Sequence, residues 1–244
     1  MRIRVRFAKT GKVRWTSHRD LARIWERAIR RVGLPVAYSQ GFSPRPKLHF
    51  GLALSTGHES LAEYLDLDLD PERLDGWADD ADLAALLPRL TAALPVGIEA
   101  TAIGRIETSV DSLQAAVTSC TWSVELTGVE PPSVVAAIEA ALAADELVIT
   151  RERKGKAVTD DVRPYLIDLT VTGPTGSGTE VYAHLATQPR GLRISELIAV
   201  LGCGGEEGRV RRLTQWILHD GALTEPLAAQ DGAASAPHAE ARAS

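Results

Sequence analysis

The chain has 244 residues, 27 Lys and Arg against 32 Asp and Glu, 45% hydrophobic and 24% charged residues. These values suit one large globular domain or two smaller ones and exclude a fibrous repeat or a wholly disordered chain. No run approaches the ~18 apolar residues of a membrane helix. The N-terminus has no signal-peptide core, and Cys120 and Cys203 make neither a disulfide framework nor a zinc knuckle. The expectation is a cytoplasmic protein without membrane contact.

The net charge of -5 is unevenly spread. Residues 1–50 hold 13 of the 27 basic residues and only Asp20 and Glu26 against them, a local +11, which leaves -16 for the other 194. Local potential of this kind bears on partners such as phosphate polymers or acidic surfaces, and not on fold.

Taken in chain order, Ile3, Val5 and Phe7 alternate with Arg2, Arg4 and Arg6, which predicts a half-buried strand. A turn at Thr10–Lys12 follows. Ser17 is then an N-cap with Asp20 in the first turn, and Leu21, Ile24, Trp25, Ala28, Ile29 and Val32 form one face of a helix stopped by Gly33 and Pro35. A segment Val36–Tyr38, the loop Gln40–Lys47 and a strand Leu48–Leu54 come next. Residues 62–70 alternate again, with Leu65, Leu67 and Leu69 one way and Asp66, Asp68 and Asp70 the other. A helix over Asp82–Leu94 and a strand over Val96–Ile106 close the first half. Strand, helix, strand, strand, helix, strand is the ferredoxin-like order, an antiparallel sheet with both helices on one face.

In the second half, Trp122, Val124 and Leu126 mark a strand and Ser133–Ala144 a helix entered through two prolines. Leu147–Arg153 and Tyr165–Thr172 read as a hairpin with a polar loop. A strand Glu180–Thr187 precedes helices near Ile194–Leu201 and Gly208–His219. The expected architecture is α+β, two tandem ferredoxin-like modules over residues 1–106 and 115–225, joined near Glu107–Gln114, with a disordered tail over 226–244.

Arg2, Arg4 and Arg6 are expected to face Asp66, Asp68 and Asp70 across the open side of the sheet, as cross-strand pairs in preference to a metal site. The helix differs. At about 100° per residue, Arg19, Arg23 and Arg30 fall on one side and Arg27 and Arg31 extend the stripe. Such a stripe is either a solvated face or a grip for phosphates, onto which guanidinium groups fork. The loop Gln40-Gly41-Phe42-Ser43-Pro44-Arg45-Pro46-Lys47 interleaves an aromatic with two cations on a proline-stiffened frame, which suits single-stranded nucleic acid unless Phe42 plugs the core. Arg14 and Gln40 complete the candidate RNA-binding set. Arg151, Arg153, Lys154 and Lys156 form a second basic cluster.

His18, beside Arg14, Arg19 and Arg23, is a candidate general acid or base for RNA cleavage, or else a residue packed at the helix start. His49 and His58 lack Cys or Asp at ligand spacing. No metal or cofactor is expected, and Gly202-Cys203-Gly204-Gly205 reads as an interhelical turn.

The stretch KTGKVRWTSHRDLARIWERAIRRVGLPVAYSQGFSPRPKLHFGLAL, with Glu63-Tyr64 beyond it, resembles the signature of a family of uncharacterised radical-SAM-associated proteins. That family occurs fused to cobalamin-binding radical SAM proteins, or as a separate chain often encoded near ribonuclease E/G. The resemblance implies a role linked to RNA metabolism or modification and supplies no catalytic residues. Three closely spaced cysteines hold a radical SAM cluster, so any radical chemistry belongs to a partner. The leading expectation is an RNA-binding or RNA-presenting accessory to a radical SAM enzyme modifying tRNA or rRNA. The rivals are an adaptor docking on that enzyme and a metal-independent endoribonuclease.

Overall fold

Strand β1 (Arg2–Lys9) buries Ile3, Val5 and Phe7 completely on one face, as its alternation requires. It pairs antiparallel with β3 (Glu59–Asp68) on one side and β4 (Ile98–Ile106) on the other, and the short β2 (Leu48–Phe50) lies along the far edge of β3. Helices α1 (His18–Val32) and α2 (Asp80–Ala93) close over this face, where Trp25 meets Phe7 edge-on with ring centroids 5.0 Å apart. Gly33, in the left-handed conformation, ends α1. The order β4-β1-β3-β2 is that of a ferredoxin-like sheet. This computed structural model describes residues 1–74, 80–107, 111–153 and 155–228.

A one-turn helix α3 (Leu113–Ala116) leads into β5 (Val117–Thr127), α4 (Pro131–Ala143) and a hairpin of β6 (Val148–Arg153) and β7 (Lys156–Asp161). Then come β8 (Leu166–Pro174), β9 (Gly178–Ala186), α5 (Ile194–Leu201), β10 (Glu206–His219) and the short β11 (Ala222–Thr224). The main strands run β10-β5-β9-β8, so the second half repeats the first with the β6–β7 hairpin inserted. Each half has its own apolar core. The α+β class with two ferredoxin-like modules is therefore what the chain adopts.

The two sheets are one. β10 runs parallel to the start of β3, pairing Arg211 with Glu59 and Arg212 with Ser60, and makes a continuous nine-stranded sheet. Side chains tie this seam: Arg211 to Glu59 at 2.7 Å, Arg212 to Glu63 at 2.8 Å, and Gln215 Nε2 donating to the Ala62 carbonyl at 2.6 Å. Leu52 and Leu54, expected in a strand, instead leave β2 and pack against the second core.

Four further expectations are corrected. Gly208–His219 is not a helix but lies within the longest strand. Its pairing with β5 shifts register three times, and each bulge breaks the alternation into spacings that imitate a helical period. The hairpin partner of β6 is β7, drawn from the supposed polar loop, whereas β8 pairs with β9. The Gly202–Gly205 turn connects a helix to a strand. The arginine face of β1 is not open. Arg2 meets Asp68 at 2.6 Å and Arg4 meets Asp66 at 2.7 Å, while Arg6, which lies opposite Tyr64, bonds Glu225 at 3.1 Å. Leu113 and Leu227 pack with Tyr64 on this side, and the Tyr64 hydroxyl donates to Glu225 and to the Leu227 carbonyl. Asp70 instead caps the turn Pro71–Arg73. Of the expected tail, residues 226–228 are described, and Pro226 accepts a hydrogen bond from Arg4; the rest lies outside the described residues.

Candidate nucleic-acid interface

Helix α1 starts where Ser17 Oγ accepts the Asp20 amide at 3.2 Å and its hydroxyl donates to the Asp20 carboxylate. That hydroxyl, followed by Arg23 and Arg19, holds the Asp20 carboxyl below its ordinary value. Because Leu21, Trp25, Ala28, Ile29 and Val32 are buried, the opposite side of the helix faces out. Arg19, Arg23, Arg27, Arg30 and Arg31 are all exposed there. Arg23 pairs with Asp20 at 3.3 Å, and Arg31 donates to the Ala93 carbonyl. Arg27 and Arg30 have no ion-pair partner among the described residues.

The loop at residues 40–47 is the tip and returning arm of a hairpin. Tyr38 bridges Pro46, Ser39 N–H donates to the Arg45 carbonyl at 2.8 Å, and Lys47 N–H donates to the Ala37 carbonyl at 2.8 Å. Pro44 and Pro46 restrict the arm on either side of Arg45. Phe42 stands at the tip with 111% relative exposure, so it does not plug the core. Gln40, Arg45 and Lys47 are exposed beside it. The arm runs into β2, where the His18 ring meets Phe50 edge-on at 5.0 Å, and this contact brings the start of α1 to the base of the hairpin.

A second aromatic plate was missed in the sequence. Trp15, at the end of the 3-10 turn Gly11–Trp15, is 63% exposed, with the Arg14 guanidinium 5.3 Å from its ring. Gly57, at φ +94°, lies so close that a Cβ there would come within 2.8 Å of Trp15 Cζ3. The indole is thus seated on backbone and presents its other side outward. The signal was the sequence Lys12-Val13-Arg14-Trp15 itself, an aromatic between basic residues just ahead of the helix.

Not all of the basic N-terminus is available to a partner. Arg2, Arg4 and Arg6 serve the sheet, and Lys9 is buried, donating to the carbonyls of Arg14 and Thr16. Burial lowers the pKa of its ammonium, with Glu63 opposing. Arg14 sits 3.6 Å from Glu59. Burial pushes the Glu59 carboxyl up, but Arg211 and the Gly11 amide more than offset it and hold it below its ordinary value. The cations left outward are Lys12 and those of α1 and the hairpin.

His18 shares a cleft of about 510 Å³ with His49, Arg2 and Asp66. The carboxylate expected to be missing near His49 is supplied by the fold, since Asp68 lies 3.2 Å from His49 Nε2. Both imidazoles line this cleft, His18 against the Phe50 ring and His49 held on Asp68. His58 bonds Glu207 at 3.0 Å. In the second basic cluster, Arg151 is paired with Asp160 at 2.8 Å, Arg153 and Lys156 end the β6–β7 hairpin, and Lys154 lies outside the described residues. Among the described residues, no group of three His, Cys, Asp or Glu is placed to hold a metal ion, and no helix is long and apolar enough to cross a membrane.

Comparison with known proteins finds a match over residues 2–197 to the family described as "Uncharacterized protein conserved in bacteria (DUF2344)". No curated protein matches the sequence. Among solved structures, a chain from the crystal structure of a Cbf5-Nop10-Gar1 complex is similar at 12% identity with a TM-score of 0.47, over 87% of this chain and 48% of that one. The chain therefore spans about half the length of that structure's chain, and nothing about function follows from the likeness.

Proposed function

The chain belongs to the DUF2344 family of uncharacterized bacterial proteins, and from that premise we propose that it binds RNA through the outer face of α1 and the Phe42 hairpin, presenting it to a modifying enzyme. The observation that carries this reading is Phe42, an aromatic held wholly in water at the tip of a stiff hairpin with Arg45 and Lys47 beside it. A fully exposed ring on a stiff hairpin is a plate on which a base can stack, with phosphate-binding cations on either side. Arg19, Arg23, Arg27 and Arg30 supply a further row of forks, and Trp15 a second plate at the other end of the α1 start.

The resemblance to radical-SAM-associated proteins supports a radical SAM enzyme as the partner in this reading. Two cysteines cannot provide three cluster ligands, so the radical step falls to a separate enzyme and this chain holds the RNA for it. Binding is favoured over cleavage because Asp66, the carboxylate of the His18 cleft, is engaged by Arg4 and leaves His18 against an apolar ring.

The test is binding to tRNA and single-stranded RNA across a salt series. Five phosphate contacts correspond to a log–log slope of about -3.5 on single strands. The triple substitution Arg19→Glu, Arg23→Glu, Arg30→Glu should abolish that binding and leave the thermal unfolding curve in place. Equal RNA affinity in the triple variant would overturn the reading. Co-purification of a radical SAM enzyme that survives nuclease, with no RNA binding at low salt, would replace it with a protein-docking role for the same arginines.

A further inference from the structure

A slot of about 380 Å³ opens across the seam between the modules. The first module supplies Arg14 and Trp15 from the 3-10 turn, and His58 from the loop ahead of β3. The second supplies Glu125 of β5 and Glu207 and Arg209 of β10. The volume lies at the small end of ligand clefts, about 300–1,000 Å³, which suits one nucleoside rather than a length of chain. Trp15 is its plate, 63% exposed and seated on the backbone of Gly57.

The charged groups of the slot divide into those already engaged and those still open. Arg14 lies 3.6 Å from Glu59 and 5.3 Å from the Trp15 ring centroid. Glu125 accepts the Thr175 and Ser177 hydroxyls on Oε1 and the Arg209 amide on Oε2. The His58 Nε2 bonds Glu207 Oε1 at 3.0 Å. That bond steadies the Glu207 carboxylate and leaves its Oε2 without a hydrogen bond among the described residues. Arg209 is exposed, and its guanidinium makes no hydrogen bond or ion pair among them. The open groups are therefore one acceptor, Glu207, and one cation, Arg209.

An indole plate with an acid beside it selects among bases, which the Phe42 hairpin does not. A carboxylate repels phosphate, so Glu207 weakens a nucleic-acid surface unless it meets a donor. It is acceptor-only, with about four lone-pair sites, of which His58 uses one. Among the RNA bases, guanine alone sets two N–H donors side by side on its pairing edge, N1–H and the 2-amino group. Adenine and cytosine place a ring-nitrogen lone pair beside their amino group, and the N–H of uracil lies between two carbonyls. Those lone pairs and carbonyls meet a carboxylate with repulsion, whereas hydrogen bonds to a charged acceptor are roughly twice as strong as neutral ones. Every base can stack on Trp15, and guanine can also pair with the acid.

We propose that the Trp15 slot binds one guanine of single-stranded RNA, the base stacked on the indole, its N1–H and 2-amino group on Glu207, and the adjoining phosphate on Arg209. This rests on the RNA reading of the α1 face and deepens it, naming a base and carrying the RNA across the seam onto β10.

Fluorescence polarisation on the full chain tests this with short labelled uridine RNAs whose central base is guanine, adenine, cytosine, uracil or hypoxanthine, the last being guanine without its 2-amino group. The guanine oligomer should bind about tenfold tighter than the adenine, cytosine and uracil ones, within what one bidentate base contact supplies, with hypoxanthine between. Glu207→Gln keeps an acceptor for His58 and should remove most of that preference, while affinity for the all-uridine oligomer does not fall. Trp15→Ala should weaken every oligomer about tenfold. Arg209→Glu should weaken every oligomer by a similar factor and leave the guanine preference in place. The Glu207 and Arg209 variants should keep the parent's unfolding midpoint. Equal affinity for the guanine and uracil oligomers, hypoxanthine equal to guanine, or a preference unchanged in Glu207→Gln would overturn the slot and leave the RNA reading standing. Unchanged binding in Arg209→Glu would overturn the passage onto β10. No binding of any oligomer at low salt would overturn both the slot and the RNA reading.

Discussion

Helices α1 and α4 occupy the same place in the same strand order, each following the first strand of its module, yet their surfaces share nothing. α1 carries Arg19, Arg23, Arg27, Arg30 and Arg31, whereas α4, PPSVVAAIEAALA, has no basic residue. Both bury an apolar face against their sheet. The module therefore packs with or without a cationic stripe, and the arginines of α1 are not a requirement of the fold. Self-repulsion along that stripe is tolerated in one helix and absent from its counterpart.

The modules can be told apart most forcefully by unfastening them. Arg212→Ala leaves Glu63 buried without its cation, and loss of one partner of a buried pair costs about 3–5 kcal/mol. Urea denaturation should show that loss, with Arg212→Met combined with Glu63→Leu recovering much of it. A loss below about 1 kcal/mol would mean that the seam pair behaves as a solvated one. Next in size, Phe42→Ala should weaken single-stranded RNA binding by about 1–3 kcal/mol, the worth of one base stack, with an unchanged melting curve because the ring touches no core. An unaltered affinity would remove the hairpin from the interface and leave the helix alone.

The helix starts sharpen the comparison further. Ser17 caps α1 through its side chain, while Glu130 at the start of α4 makes no such bond. Ser17→Ala should cost about 1 kcal/mol by thermal or urea unfolding, and Glu130→Ala close to nothing. Equal costs would show that the α1 cap is idle.

The smallest effect is in acid. Burial raises the Asp68 carboxyl, but Arg2 and His49 outweigh it and hold it below its ordinary value, and Glu59 is lowered likewise by Arg211 and Gly11. For a group whose folded value is depressed, the stabilisation is complete above the unfolded carboxylate value of about 4 and is lost as pH falls through the folded value. Unfolding midpoints should therefore decline below that pH, and Arg2→Met should flatten part of the decline. An identical acid limb in the variant would show that Asp68 does not contribute to it.

Reading the first module from sequence worked because its rules are local. Ile3, Val5 and Phe7 alternate without interruption, and α1 has a cap, a one-sided apolar face and a glycine stop. Strand β10 defeated the same reasoning, since three register shifts scatter Val210, Leu213, Trp216 and Ile217 into helix-like spacing. The outward arginines were legible for the same reason as the helix, whereas Trp15 was not, because its seat on Gly57 is 42 positions away in the chain. Whether Phe42 pointed inward or outward could not be read from its neighbours in sequence, and the hairpin geometry settled it.

Sequence alone thus determined the element order of the first module, the pairing of Arg2 and Arg4 with acidic residues on β3, and the stripe on α1, all consequences of periods of two and 3.6 residues. Tertiary structure alone decided that the two sheets merge through β3 and β10, that Glu225 returns to Arg6, and that Trp15 and Glu207 meet in one cleft. Those contacts join residues more than a hundred positions apart. Their partners are chosen by which strand edges and charges remain unsatisfied once each module has folded, and no local pattern records that.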